Sequence, residues 1–278
     1  MRGSHHTISL EYYIHIERTL PMEHVTIFAN SDYQLHGTLY RAAKTCHRVM
    51  IYFHGGGFIF GQRDDLPDEY VDVITRTYHL LTVDYRLLPE SSWDDIVDDL
   101  KHINAYVSQN FKTAYCMGRS AGGFLALTYA TLFDIAGVID FYGFYNLSHS
   151  AFYRLPTNHQ NIAHMLSGHL KHSLIKRTVT TNEPPQPRFL LYLYYRERGI
   201  WPSLIHYNIS NEQLKKPPKL FIAHAINDPD VPIAYSIDLA NIHNNAKLVK
   251  INSHIHDFDS EVTEANIQLY EQACEYIL

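Results

Sequence analysis

The sequence has few cysteines, no long hydrophobic run and no excess of basic residues. Cys46, Cys116 and Cys274 are odd in number and far apart, so they predict reduced thiols in a cytoplasmic protein and exclude a disulfide scaffold or a Cys-x-x-Cys site. No apolar stretch approaches the ~20 residues that span a bilayer, and the N-terminus lacks the apolar part of a secretory signal, so we expect no membrane association. With 23 Lys and Arg against 29 Asp and Glu, the net charge of −6 argues against nucleic acid as a partner.

The composition is that of a folded protein with one sizeable core. Of 278 residues, 46% are hydrophobic and 19% are charged, which excludes a disordered chain. Residues 1–6 resemble an expression-tag remnant, so we expect a single domain over residues 7–278. Histidine is frequent, and His164, His169 and His172 have helix-compatible spacing. No carboxylate or cysteine joins them in a recognised ligand pattern, so we expect no metal site.

The order of predicted elements indicates an α/β fold. Two β-rich runs, 24–28 and 35–40, flank a polar turn and predict an antiparallel hairpin. Further along the chain, predicted strands at 48–53, 80–85, 113–117, 136–141, 219–224 and 247–252 alternate with predicted helices at 66–78, 93–107, 121–132, 233–244 and 260–277. Such alternation predicts a mostly parallel sheet with helices on both faces.

The predicted helix after residue 92 carries a run of acidic residues. Apolar residues recur with helical spacing from Trp93 to Val107, and Ser92 precedes them as an N-cap. The acidic residues near its start are Asp94, Asp95, Asp98 and Asp99. We interpret them as a solvated helix face that complements the helix dipole, and not as a metal site.

The segment 146–216 interrupts the alternation. It is too long for a plain connection between two core strands, and we interpret it as a helical cap over the carboxyl edge of the sheet. Its aromatic residues are candidate pocket walls, although packing of the cap is the favoured role for each of them: Phe152, Tyr153, Tyr192, Tyr194, Tyr195 and Trp201. For Arg188, Arg196 and Arg198 we favour a solvated basic face over contacts with an anionic substrate.

The strongest local motif is Gly-x-Ser-x-Gly at 118–122. A predicted strand precedes it and a helix rich in small residues follows, which is the context of a sharp turn that exposes the Ser120 hydroxyl. The alternative is a tight strand–helix junction that happens to contain serine. Within the motif, Arg119 is expected to make a structural contact.

A second motif, His54-Gly-Gly-Gly-Phe58, follows the predicted strand 48–53. Successive glycines leave backbone N–H groups unshielded, so that an oxyanion can approach them. A flexible loop or a phosphate cradle is the alternative, but neither nucleotide-binding glycine pattern begins here.

Together with the segment Asp84–Glu90 (DYRLLPE), these motifs resemble the HGGG-type esterase and lipase branch of the α/β-hydrolase superfamily, the branch that includes hormone-sensitive-lipase-like proteins and carboxylesterases. The resemblance spans residues 24–278, although the cap carries none of it. It implies an α/β-hydrolase fold, a structural role for Asp84–Glu90 in buttressing the glycine loop, and small-molecule ester substrates that often have short acyl chains. It implies no cofactor, and it suggests a homodimer that no sequence feature demonstrates.

The resemblance also implies a catalytic triad in the order Ser, acid, His. The family spacing D-x-x-V-P selects Asp228, with Asp230 as the second choice or a turn-capping carboxylate, and the pattern H-x-F selects His256 over His254. The chain departs from the family at 225–226, where glycine is frequent. The implied site therefore comprises Ser120, Asp228 and His256, with the oxyanion donors Gly56, Gly57 and Ala121.

Two other functions are compatible with the same residues. An amidase, formamidase or small peptidase uses the same triad, because ester and amide cleavage need one constellation. A non-catalytic ligand-binding protein is the alternative from another class, since a fold alone does not dictate function.

Overall fold

An eight-stranded sheet forms the centre of the molecule. The computed structural model describes residues 22–160, 174–175, 179–180 and 185–278. The strands are β1 (Met22–Ala29), β2 (Gln34–Tyr40), β3 (Arg48–Phe53), β4 (His79–Val83), β5 (Thr113–Arg119), β6 (Val138–Phe141), β7 (Leu220–Ala225) and β8 (Ala246–Ile251). Their order is β1-β2-β4-β3-β5-β6-β7-β8. β2 pairs antiparallel with β1 and with β4, and every other pair is parallel, so the predicted α/β class and the predicted hairpin are confirmed.

Helices cover both faces of the sheet. They are α1 (Asp68–Thr75), α2 (Trp93–Asn110), α3 (Ala121–Leu132), α4 (Pro185–Glu197), α5 (Asn211–Leu214), α6 (Ala234–Ile242) and α7 (Glu264–Ile277). Alternate residues of β3 face opposite sides. Val49 and Ile51 join the apolar cluster of α2, α3 and α6, whereas Met50 and Tyr52 join that of α1 and α7. Because both faces are covered, β3 is apolar nearly throughout.

Helix α2 begins where its cap predicts, but one of its aspartates is not solvated. The Ser92 hydroxyl accepts from the Asp95 N–H, and the Asp95 carboxylate accepts from the Ser92 N–H, which is a capping box. Asp99 is fully buried and accepts from the backbone N–H of Arg86 at 2.7 Å and from its Nε at 2.9 Å. Burial raises the pKa of Asp99 to about 6, against the opposing effect of Arg86. The interpretation of a solvated acidic face is therefore wrong for Asp99, because a buried carboxylate must be paired.

Two predicted helices begin later than expected, because the residues before them set where they start. α1 begins after the N-cap residue Pro67, because a proline disfavours helical backbone at the residue before it, which is Leu66. α7 begins after Thr263, whose hydroxyl accepts from the N–H of Asn266.

Within the described residues of the segment 146–216, the regular secondary structure is helical. Besides α4 and α5, it contains the 3₁₀ turns Ser150–Tyr153 and Trp201–Leu204. Two regions named in the sequence analysis lie outside the described residues. They are the three histidines considered as metal ligands (His164, His169 and His172) and residues 1–6. The assignment of the segment as a cap remains a prediction.

Candidate active site

The Gly-x-Ser-x-Gly motif forms a strained turn between β5 and α3. Ser120 has φ 54° and ψ −120°, a backbone conformation that non-glycine residues rarely adopt. The turn also needs a close approach, because a Cβ on Gly122 would lie 2.0 Å from the carbonyl oxygen of Phe53. The serine is thus held at the carboxyl edge of the sheet, at the N-terminus of α3.

Three of the residues predicted for the site lie in one hydrogen-bonded chain. The Oγ of Ser120 lies 2.9 Å from Nε2 of His256, and Nδ1 of His256 lies 2.7 Å from Oδ2 of Asp228. The His256 side chain is 17% exposed, whereas that of Asp228 is fully buried. Since Nδ1 donates to the carboxylate, the neutral imidazole presents an acceptor at Nε2 to the serine hydroxyl.

The loop after β7 fixes Asp228. Its Oδ1 accepts from the backbone N–H groups of Asp230 at 2.8 Å and Val231 at 2.9 Å, while its Oδ2 faces His256. Burial disfavours the charge, but the charge of protonated His256 and the hydrogen bonds from His224 and His256 outweigh it and hold the pKa of Asp228 well below its usual range. Asp228 is therefore ionised at neutral pH.

The environment of His256 favours its protonated form. Burial alone lowers the pKa of His256, but the charge and hydrogen bond of Asp228, followed by the charges of Asp230 and Asp257, raise it to about 9. The ring of Tyr142 packs edge-on against the imidazole at 4.9 Å between centroids. Tyr142 also has a positive φ of 44° and lines the cavity described below. No sequence signal pointed to it.

The second choices for acid and base occupy other positions. Asp230 accepts a hydrogen bond from the Tyr192 hydroxyl at 3.0 Å and forms an ion pair with Arg196. The turn-capping role proposed for Asp230 is wrong, because Asp228 accepts from the turn N–H groups instead. His254 is exposed, whereas His256 is the histidine beside Ser120.

The glycine loop after β3 lies beside Ser120. Gly55, Gly56 and Gly57 line the same cavity as the serine, and Ala121 is the first residue of α3, so that its N–H has no partner within that helix. The Tyr85 hydroxyl donates to the carbonyl oxygen of His54 at 3.0 Å, which confirms that the DYRLLPE segment supports this loop.

A cavity of about 630 Å³ opens above Ser120 and His256. Its polar lining includes Gln62, Asp65, Arg119, Asn158, His159, Asp257 and Ser260, and its apolar lining includes Phe60, Pro67, Tyr142, Phe189 and Tyr192. The guanidinium of Arg119 donates to the Tyr52 hydroxyl at 2.8 Å. It also forms ion pairs with Asp65 at 2.8 Å and with Asp259 at 3.4 Å. The predicted structural contact of Arg119 is confirmed.

Two of the three arginines singled out in the segment 146–216 were misinterpreted. Arg188 is buried and paired with Glu90 at 2.7 Å, and Arg196 is buried and paired with Asp230. The interpretation of a solvated basic face is therefore wrong for both, since charges in a packed interior require partners. The side chain of Arg198 is 52% exposed and lies beside Glu197, so the interpretation of a solvated basic face holds for this residue.

Among the six aromatic residues proposed as pocket walls, Tyr192 lines the cavity. Its ring lies 2.5 Å from the position that a Cβ on Gly57 would occupy, so that only glycine is compatible with this contact. Phe152, Tyr195 and Trp201 are buried packing residues, and the Nε1 of Trp201 donates to the carbonyl oxygen of Gly57 at 2.9 Å. Tyr153 is 52% exposed.

The described part of the chain contains no cluster of three His, Cys, Asp or Glu side chains that could hold a metal ion. Within the same residues, no helix has both the length and the apolar character needed to cross a membrane.

Known proteins are similar to most of this chain. A sequence model of the alpha/beta hydrolase fold matches residues 50–260. A protein of unknown function from Staphylococcus aureus is 31% identical, with a TM-score of 0.86 over 92% of this chain and 98% of that one. A Phoma protein named "Probable carboxylesterase" is 24% identical, over 77% of this chain and 80% of its own length. An acetyl esterase from Salmonella schwarzengrund is 28% identical over 42% of this chain, a match that spans only 41% of that protein.

Proposed function

This chain belongs to the alpha/beta hydrolase fold family, and from that premise we propose that it is a serine hydrolase that cleaves carboxylic esters through an acyl-enzyme intermediate. The observation that carries the proposal is the hydrogen-bonded chain from Ser120 through His256 to Asp228 at the base of an open cavity. The names of the Phoma and Salmonella relatives support an ester as the substrate.

The first chemical step transfers the serine proton. His256 accepts it at Nε2 as the Oγ of Ser120 attacks the ester carbonyl carbon, and the carbonyl π electrons move onto the oxygen. Asp228 keeps the imidazole in its Nδ1–H tautomer and stabilises the imidazolium. The oxyanion receives hydrogen bonds from the N–H groups of Gly56, Gly57 and Ala121, each worth about 10²–10³ in rate.

The tetrahedral intermediate then collapses. The bond to the alcohol oxygen breaks, and that oxygen takes the proton from His256 and leaves as the free alcohol. Water then attacks the acyl-serine and gives its proton to His256. Collapse of this second intermediate releases the carboxylic acid and returns the proton to Ser120. None of these steps requires a cofactor.

A short acyl group fits the glycine side of the cavity best. Tyr192 packs directly on Gly57, and the ring centroids of Phe60 and Trp201 lie 5.8 Å and 5.6 Å from its own, so we infer that this side of the cavity closes near the oxyanion donors. We assign Tyr192 to a cap formed by residues 146–216. Cys46, Cys116 and Cys274 are free thiols, which is consistent with a cytoplasmic location.

Hydrolysis of p-nitrophenyl acetate, butyrate and octanoate tests this function. We expect turnover that is fastest with the short esters, and a loss of about 10⁴-fold or more in Ser120→Ala with the thermal unfolding midpoint retained. Equal turnover by Ser120→Ala would show that the nucleophile is wrong. Turnover of matched amides but not of esters would instead identify an amidase.

A further inference from the structure

A second histidine lies against the carboxylate of Asp228. Nε2 of His224 lies 3.1 Å from Oδ2 of Asp228, the oxygen that also faces His256. His224 is the fifth residue of β7 and is fully buried. It does not line the cavity, so it acts on no substrate atom directly.

The neighbours of His224 determine where its proton lies. Nε2 is 3.0 Å from the carbonyl oxygen of Val231, which can only accept, so Nε2 carries a hydrogen. Nδ1 lies 2.6 Å from the hydroxyl of the buried Ser236 on α6, and in the neutral imidazole it accepts from that hydroxyl. His224 therefore directs one N–H donor toward both Val231 and Asp228.

The result is a chain of side chains that is nearly symmetric about the carboxylate. It runs from Ser236 through His224 to Asp228, and from Asp228 through His256 to Ser120. With two backbone N–H groups on Oδ1 and two imidazoles on Oδ2, the buried carboxylate has a partner for each lone pair.

We propose that His224 is a positioning residue that holds Asp228 in register with His256, with Ser236 fixing its tautomer. The proposal rests on the proposed function. A donor on Oδ2 fixes the direction of the carboxylate and draws part of its charge away from His256. Without that donor, the carboxylate is less constrained and interacts more strongly with the His256 imidazolium.

The test compares two variants of similar size. His224→Leu removes the donor, whereas His224→Gln can place an amide N–H near the position of Nε2. For His224→Leu we expect kcat/KM for p-nitrophenyl acetate to fall about 10- to 100-fold through kcat, with KM unchanged. The acidic midpoint of its pH profile is expected to move upward, and His224→Gln is expected to recover most of both properties. The other groups that face His256, namely Asp230, Asp257 and Tyr142, are the same in both variants.

A second readout does not require turnover. The downfield Nδ1 proton resonance of His256, assigned by its loss in His256→Gln, can be titrated in each protein. A higher pKa of His256 in His224→Leu than in wild type and His224→Gln supports the proposal, even if no ester is hydrolysed and the proposed function fails. Equal His256 pKa values in all three folded proteins would overturn the proposal and leave His224 as a packing residue. Equal losses of kcat/KM in His224→Leu and His224→Gln would do the same.

Discussion

Replacement of Tyr192 tests how the acyl side of the site is closed. The Tyr192 ring lies against Gly57 and lines the cavity. Tyr192→Ala removes this wall, whereas Tyr192→Phe keeps the ring and removes only the hydroxyl that donates to Asp230. The difference between the two variants therefore isolates the ring.

The expected size of the effect follows from the apolar surface that the longer ester can bury. Each methylene removed from water contributes about 0.8 kcal/mol, or about 4-fold in kcat/KM. Room for two more methylenes therefore raises the ratio of kcat/KM for p-nitrophenyl hexanoate over butyrate by about 15-fold. Loss of a buried aromatic ring also costs about 3–5 kcal/mol of stability, so the assay is run well below the unfolding temperature of the variant.

Activities of wild type, Tyr192→Phe and Tyr192→Ala on the two esters give the answer. We expect Tyr192→Phe to keep the wild-type ratio and Tyr192→Ala to favour hexanoate. An unchanged ratio in a folded Tyr192→Ala, or the same shift in both variants, would refute the assignment of this ring to the acyl pocket.

Two further predictions concern charge. His256 must be neutral to accept the serine proton, so kcat/KM should fall as the pH drops through the raised pKa of His256, with a midpoint above the ordinary value of 6.5; a pH–rate profile with its midpoint at or below 6.5 would contradict the described environment. Arg196→Ala leaves Asp230 without its buried partner and should lower the free energy of unfolding by about 3–5 kcal/mol, whereas Arg198→Ala at an exposed site should change it by less than about 0.5 kcal/mol. Equal effects of the two arginine variants in urea unfolding would refute the assignment of a buried ion pair.

Short-range features were predicted from the sequence because their causes lie within a few residues. Ser92 caps α2 through Asp95, three positions along, and the strand–turn–helix context of Ser120 is complete within 113–132. The continuous apolar run of β3 likewise predicted a strand covered on both faces. The hairpin followed from two β-rich runs around a polar turn, and the mostly parallel sheet followed from the alternation of strands and helices.

Ion pairs between residues far apart in the sequence were not predicted, because composition does not reveal which residue a charged side chain will pair with. Arg196 and Asp230 are 34 residues apart, and Arg188 and Glu90 are 98 apart, so both arginines were interpreted as solvated. Asp99 was misassigned for the same reason, since its partner Arg86 precedes the helix.

For the candidate site, the predicted acid and base were selected by resemblance and spacing, and their roles remain predictions. His224 is the one polar residue of the otherwise apolar strand β7, four residues before Asp228, and this weak sequence signal was not interpreted. The position of Tyr142 depends on a positive φ, and no sequence motif predicted that backbone conformation.

The most direct test of the account is covalent labelling of the serine. Wild-type protein, Ser120→Ala and Asp228→Asn are incubated with a fluorophosphonate and analysed by intact mass and peptide mapping. We predict a single adduct on Ser120 in wild type, none in Ser120→Ala, and much slower labelling in Asp228→Asn, because an activated serine needs both its base and its carboxylate. Wild-type protein that stays unlabelled while folded, or that labels equally in Ser120→Ala, would contradict the claim that Ser120 is the nucleophile.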